Sequence, residues 1–123
     1  MSWIDEIAGL VAIRHSNTDV ITVAVDNLRF MRGAYQKDIL VLEGRLTYVG
    51  KTSMEVRVDT YVETLDGMRH PINRAYLTEV AVDENEKPTS VPELIIETES
   101  EKAEWEAGKR RREVRLQRKK EGF

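Results

Sequence analysis

The chain has 123 residues, a length that suits one domain, and 41% of them are hydrophobic, enough to bury a core. It contains no cysteine, which excludes disulfide frameworks, zinc–thiolate centres and cysteine nucleophiles. The net charge of −3 is unevenly spread: residues 1–96 carry 10 basic and 15 acidic side chains, whereas residues 97–123 carry 9 and 7. An acidic body with a basic tip points to a local anion site rather than a nucleic-acid-binding face. No apolar run approaches the roughly 20 residues of a membrane span. Asp5 and Glu6 interrupt the apolar opening that a signal peptide would need. A cytoplasmic protein with neither membrane nor nucleic acid as partner is expected.

The first element is a helix. Ile4, Ile7, Ala8 and Val11 recur at i, i+3, i+4 and i+7. The helix is expected to run to about Arg14 and to stop at the polar cluster "HSNTD". "VITVAVD" (20–26) is a β-branched run and reads as a buried strand. An irregular connection follows, and then "ILVLEGRLTYV" (39–49), a strand with Leu40, Leu42, Leu46 and Tyr48 expected on one face. "GK" (50–51) marks a tight turn, with Gly50 able to supply a positive φ. The next strand, 52–64, alternates cleanly: Met54, Val56, Val58, Thr60 and Val62 on one side, Glu55, Arg57, Asp59 and Glu63 on the other. "LDGM" turns the chain into a fourth strand, 71–83. Residues 86–96 carry Pro88 and Pro92 and read as an extended linker. From Glu97 the pattern is helical again, acids first and bases later, as the helix dipole favours. Its apolar content is thin, so it is expected on a surface. One helix, four antiparallel strands and a tail helix make an α+β layout. The long edge strands suggest a homodimer that extends the sheet.

Five segments in this order resemble the hotdog-fold acyl-CoA thioesterases, in the cytosolic acyl-CoA hydrolase branch. They are "WIDEIAGLVAIRH", "VITVAVDNLRFMR", "YVGKTSMEVRVDTYVE", "AYLTEVAVDENEKP" and "ETESEKAEWEAGKRRRE", and they reach from Ser2 to about Arg112. The resemblance implies a hotdog fold, in which a long central helix is wrapped by a curved antiparallel sheet, with a C-terminal helix added. It divides the chain into a hotdog domain (1–85), a linker (86–96) and a charged tail helix (97–123). Family members carry a strand ahead of the helix, then a turn with an Asn and a Gly-Gly pair. Met1 sits where they are already inside the helix, so an N-terminal truncation is expected. The family also tends to place an aromatic residue in the last strand where this chain has Glu79.

The activity implied is hydrolysis of an acyl-CoA thioester to CoA and a carboxylic acid. It calls for no cofactor and no metal, coenzyme A being part of the substrate. Asp5 occupies the position of the family's acidic residue on the central helix and is the candidate general base or nucleophile; the plainer reading is a first-turn acid favoured by the dipole. Glu6, about 100° round the helix, is expected to face solvent. For CoA, the turn Gly50, Lys51, Thr52 and Ser53 offers close backbone approach, a cation and hydroxyls, or is an ordinary hairpin turn. Arg29 and Arg32 could reach phosphates, or are solvated loop cations. Arg110 and Arg111 in "KRRRE" could hold the 3′-phosphate of a neighbouring subunit's CoA, or lie on a solvated helix face. His15 and His70 are too few and too separated for a metal site. The expected assembly is a homodimer with sites at its interface, extending to a hexamer as a trimer of dimers. The alternative is a hotdog module that binds acyl-CoA, or only assembles, for want of the Asn and Gly-Gly turn.

Overall fold

The apolar spacing at the start of the chain forms α1 (Ser2–Ser16), which turns Ala8 and Ala12 wholly inward. Asn17 ends it at φ 58°, its N–H donating to the Ile13 carbonyl at 2.7 Å, a left-handed cap that Asn tolerates. The structure, a computed structural model, describes residues 2–29 and 39–120. The strands are β1 (Asp19–Arg29), β2 (Ile39–Val49), β3 (Ser53–Glu63) and β4 (Arg69–Val82), followed by α2 (Glu99–Lys120). They pair antiparallel in one sheet of order β1-β4-β3-β2. The expected α+β layout is therefore observed, and each strand lies within a few residues of its expected span.

The core fills the space between α1 and the inner sheet face. Met54, Val56 and Val58 from β3 and Ala75, Leu77 and Ala81 from β4 pack with Ala8 and Ala12. Small residues on the helix allow a close approach. At Gly44 of β2 an added Cβ would stand 2.5 Å from a methyl of Ile7, so the helix rests directly on that backbone.

Two expectations about the sheet are not met: β1, read as a buried strand, is an edge strand with Ile21, Val23 and Val25 exposed, and Tyr48 is turned round. Tyr48 does not share a face with Leu42 and Leu46. A bulge at Thr47 places Tyr48 opposite Glu55, where Leu46 pairs with Val56, and so turns the ring to the outer face. The outer face itself is covered: α2 lies on it, with Trp105 5.1 Å from the Tyr48 ring, and Glu55 and Asp59 are buried. Gly108 permits this contact, since a Cβ there would stand 2.6 Å from Tyr48 Cβ. Finally, the Pro-containing segment is tied down, with Thr89 donating to Ala81 at 2.9 Å, Val91 to Lys51 at 3.0 Å and His15 Nε2 to the Pro92 carbonyl at 2.7 Å. Thr98 caps α2, its hydroxyl accepting from the Glu101 N–H at 3.0 Å. Among the described residues no helix is long and apolar enough to cross a membrane.

Candidate active site

Asp5 lies one turn into α1 on the same stripe as Ala8 and Ala12, and so faces the sheet. Its Oδ1 is buried and accepts no hydrogen bond among the described residues. Across from it stands Glu79. The alternation of β4 puts Ala75, Leu77, Glu79 and Ala81 on the inner face, so Glu79 interrupts an otherwise apolar row and is 0% exposed. Thr22 of β1 is its register partner on one side and Met54 of β3 on the other. The Thr22 hydroxyl lies 2.8 Å from both carboxyl oxygens of Glu79. Immediately after Thr22 the strand bulges at Val23.

These groups line a cavity of about 530 Å³, with Asp5, Thr22 and Glu79 at its polar end and Leu10, Ile13 and Val20 supplying apolar wall. No Lys, Arg or His is among its described lining residues. Burial pushes the Glu79 carboxyl above its ordinary value; the Thr22 hydrogen bond works against this, and the negative charge of Asp5 adds to the rise. Two carboxyls, a hydroxyl and an apolar wall can hold an uncharged acyl group and move a proton beside it.

The residues expected from sequence to hold CoA divide into two places. The turn at Gly50–Ser53 lies at the same end of the sheet as the cavity, since Met54 pairs with Glu79 and Ser53 with Val80. Lys51 is exposed there, and Gly50 does not adopt the positive φ anticipated for it; its bareness makes room for Ser53 and Arg112 instead. Arg29 is at the far end of β1, seven residues from Thr22, or about 20 Å of strand. Arg110 and Arg111 are on the other side of the sheet, lining a cavity of about 520 Å³ between α2 and the outer face, with Asp26, Tyr76 and Arg115. The Arg111 guanidinium forks onto Glu55 at 2.8 and 2.5 Å and stacks 3.8 Å over Tyr76, so it is engaged within the chain. That bond to Glu55 raises its pKa further. Arg110 is exposed and free to meet a ligand, and Arg32 lies outside the described residues. Glu6 is exposed, as expected, at the cavity rim.

Thr22 was not legible as a site residue. A threonine in a β-branched run carries no signal of its own, and the bulge beside it has no sequence mark. Glu79 did carry one: an acid in register with Ala75, Leu77 and Ala81 is an acid in a core row.

A single helix lying in an antiparallel sheet is the hotdog arrangement, and the family comparison agrees. The chain belongs to the thioesterase superfamily, whose family model matches residues 1–67. It is 42% identical over 102 residues to the uncharacterized acyl-CoA thioester hydrolase YkhA of Bacillus subtilis, covering 82% of this chain and 59% of that protein. It is 36% identical over 115 residues to the cytosolic acyl coenzyme A thioester hydrolase of Rattus norvegicus, covering 90% of this chain and 30% of that protein. The chain thus spans less than two thirds of the length of each of these two curated relatives. Among solved structures, an apo-hexameric acyl-CoA thioesterase superposes with a TM-score of 0.85 at 42% identity, covering 95% of this chain and 76% of the other.

Proposed function

We propose that the protein hydrolyses acyl-CoA thioesters, with Asp5 as the general base at the α1 cavity. The observation that carries this is the buried, unpartnered Oδ1 of Asp5 in a cavity that has both an apolar wall and a second polar cluster. A first-turn acid present only for the dipole would be solvated; this one is turned into the fold. The names of the similar proteins, acyl-CoA thioester hydrolases, support the reading.

In the proposed reaction a water held by Asp5 gives its proton to that carboxylate as its oxygen adds to the thioester carbonyl carbon. The developing oxyanion is favoured by the positive end of α1. The carbon–sulfur bond then breaks, CoA leaves as thiolate and takes the proton, and the acyl group departs as a carboxylic acid. Thr22 lies on the opposite wall, where its hydroxyl can bind the water or the carbonyl. Only protein groups and water are used, so no metal or redox cofactor is required. Lys51 with the rest of the 50–53 turn is the proposed contact for the CoA chain nearest the cavity. Arg29 and Arg110, remote within one chain, fit as phosphate contacts for CoA bound to a neighbouring copy.

The same reading makes the protein an oligomer. β1 is an edge strand and exposes Ile21, Val23, Val25 and Leu28, while Leu10 and Ile13 are exposed on the adjoining wall of the cavity. A second copy seated here would cover them and could supply a donor to Asp5 Oδ1. The hexameric relative supports such an assembly. A cytosolic setting, carried by the rat relative's name, belongs to the same proposal.

The test is release of free CoA from a panel of acyl-CoAs. Asp5→Ala should lower the rate by about 10²–10⁴-fold, the usual contribution of a general base, while the thermal midpoint changes little. Equal activity in Asp5→Ala would remove Asp5 from the chemistry. Binding of CoA without release by the unaltered chain would favour the non-hydrolytic module.

A further inference from the structure

Glu79 is unlike the buried carboxylates of the outer face. Glu55 and Asp59 are buried against arginines, at 2.5 Å from Arg111 for the first and 2.9 and 2.7 Å from Arg57 and Arg74 for the second. Among the described residues Glu79 has one side-chain hydrogen-bond partner, the Thr22 hydroxyl, which contacts both of its oxygens equally. A hydroxyl has a single hydrogen and can donate to one oxygen at a time. Thr22 can therefore donate only one of the two contacts at a time, and a protonated carboxyl can supply the other by donating from its own oxygen to Oγ1, which leaves the Thr22 hydrogen available to the cavity. The surroundings favour the same state. From α1 the titratable groups at the cavity are Asp5 and Glu6, both acidic; from β1 and β3 the register partners are Thr22 and Met54, neither charged. An ionised Glu79 would be a buried anion with no counter-charge, facing a second carboxyl.

We infer that Glu79 is a positioning residue for the proposed hydrolysis: held as the neutral acid, it donates to Thr22 Oγ1 and so frees the Thr22 hydrogen to turn toward the reacting oxygen. Ionisation reverses the arrangement. The carboxylate accepts the only hydrogen Thr22 has, that hydroxyl can no longer donate into the cavity, and a second negative charge meets the carbonyl as it gains negative charge itself. The site is therefore active below the ionisation of Glu79 and declines above it. This rests on the hydrolase reading, and it adds a residue and a pH limb to it. The same carboxyl makes the cavity a poor host for acyl groups ending in a carboxylate, because two acids already share it.

The experiment is a pH–rate profile of acyl-CoA hydrolysis for the unaltered chain, Glu79→Gln and Glu79→Ala. The amide of Glu79→Gln donates and accepts but cannot ionise, so its kcat/KM should lose the alkaline fall seen in the unaltered chain. Below the ionisation of Glu79, Glu79→Ala should lower kcat about tenfold, the effect of one lost orienting hydrogen bond, with KM little changed, and the gap should close on the alkaline side. Thr22→Val combined with Glu79→Ala should be no slower than Thr22→Val alone, since Glu79 acts through Thr22. An alkaline limb that persists unchanged in Glu79→Gln, or additive losses in the double variant, would overturn the inference. A second readout needs no turnover: the infrared carbonyl band of a protonated carboxyl should persist in the unaltered chain at pH values above the ordinary carboxylate range and be absent from Glu79→Gln. Its absence from the unaltered chain overturns the inference. If the band is present but no acyl-CoA is cleaved, the hydrolase reading fails while the neutral, Thr22-bonded acid stands.

Discussion

The two faces of the sheet treat buried charge in opposite ways. On the outer face, under α2, carboxylates come with cations. Glu55 takes the Arg111 fork and the Thr47 hydroxyl, Asp59 joins Arg57 to Arg74, and Glu104 of α2 binds Arg57 at 2.5 Å and reaches Arg45 as well. On the inner face, under α1, Asp5 and Glu79 stand in an apolar layer with no cation lining their cavity among the described residues. A closed ion-pair lattice holds an element in place, and α2, poor in apolar residues, needs one. An unpaired pair of carboxyls does the reverse: it costs stability and leaves proton-transfer groups unspent. That contrast separates the face that anchors α2 by ion pairs from the face that carries the proposed site.

The largest stability effect should come from breaking the outer lattice on one side only. Arg111→Met leaves Glu55, 2% exposed, without its counter-charge; removing one partner of a buried pair costs about 3–5 kcal/mol, and the low end applies because Arg111 keeps 27% exposure. Urea melts should show this loss, and Glu55→Gln added to Arg111→Met should recover much of it. If Arg111→Met alone is neutral, the lattice does not hold α2 and the contrast between faces collapses. A smaller effect is expected at Gly108. Alanine is favoured over glycine in a helix by about 1 kcal/mol, but the new Cβ would lie 2.6 Å from Tyr48 Cβ and 3.0 Å from Glu55 Oε1. Tyr48 Cβ is fixed to the β2 backbone and cannot swing away. Overpacking of about 1–3 kcal/mol therefore outweighs the propensity gain. Gly108→Ala should lower the thermal midpoint; a rise would mean that α2 sits loosely on the sheet.

How much of this was legible depended on whether a residue's meaning was local. The inner face was readable because period-two alternation in β3 and period-3.6 spacing in α1 declare one apolar side each, and Met54, Val56, Val58 and Ala8 lie where those periods put them. Asp5 was readable through the resemblance of its segment to a known central helix. The outer face was not. Glu55, Arg57 and Asp59 look like a solvated stripe until α2 arrives from some 50 residues away, and nothing local in "KRRRE" says that Arg111 turns inward while Arg110 does not. Tyr48 was misplaced because a single extra residue, Thr47, reverses every face that follows it. Thr22 became a site residue through its β4 partner, a register that only the folded sheet establishes.

The smallest effect expected, and the one that bears most directly on the inner face, is in the pH dependence of stability. Glu79 has its pKa raised in the folded chain, by burial first and by Asp5 as well, with Thr22 opposing. In the unfolded chain it titrates at the ordinary carboxylate value. Below that value both states carry the proton and Glu79 contributes its full stability. As pH rises through the window between the ordinary and the raised pKa, the unfolded state gives up its proton first. The folded state then binds more protons than the unfolded one, so stability falls with pH, and above the window the loss is complete and constant. Glu79→Gln cannot ionise and should not follow this fall. Denaturant midpoints measured across that window should therefore diverge, with Glu79→Gln gaining on the unaltered chain as pH rises and the gap levelling off. The outer-face variant Glu55→Gln serves as the contrast, since it removes a carboxylate that has an arginine: it should lose stability at neutral pH where Glu79→Gln gains it. Parallel curves for Glu79→Gln and the unaltered chain would mean that Glu79 is as well compensated as Glu55, and that the two faces do not differ in the way described.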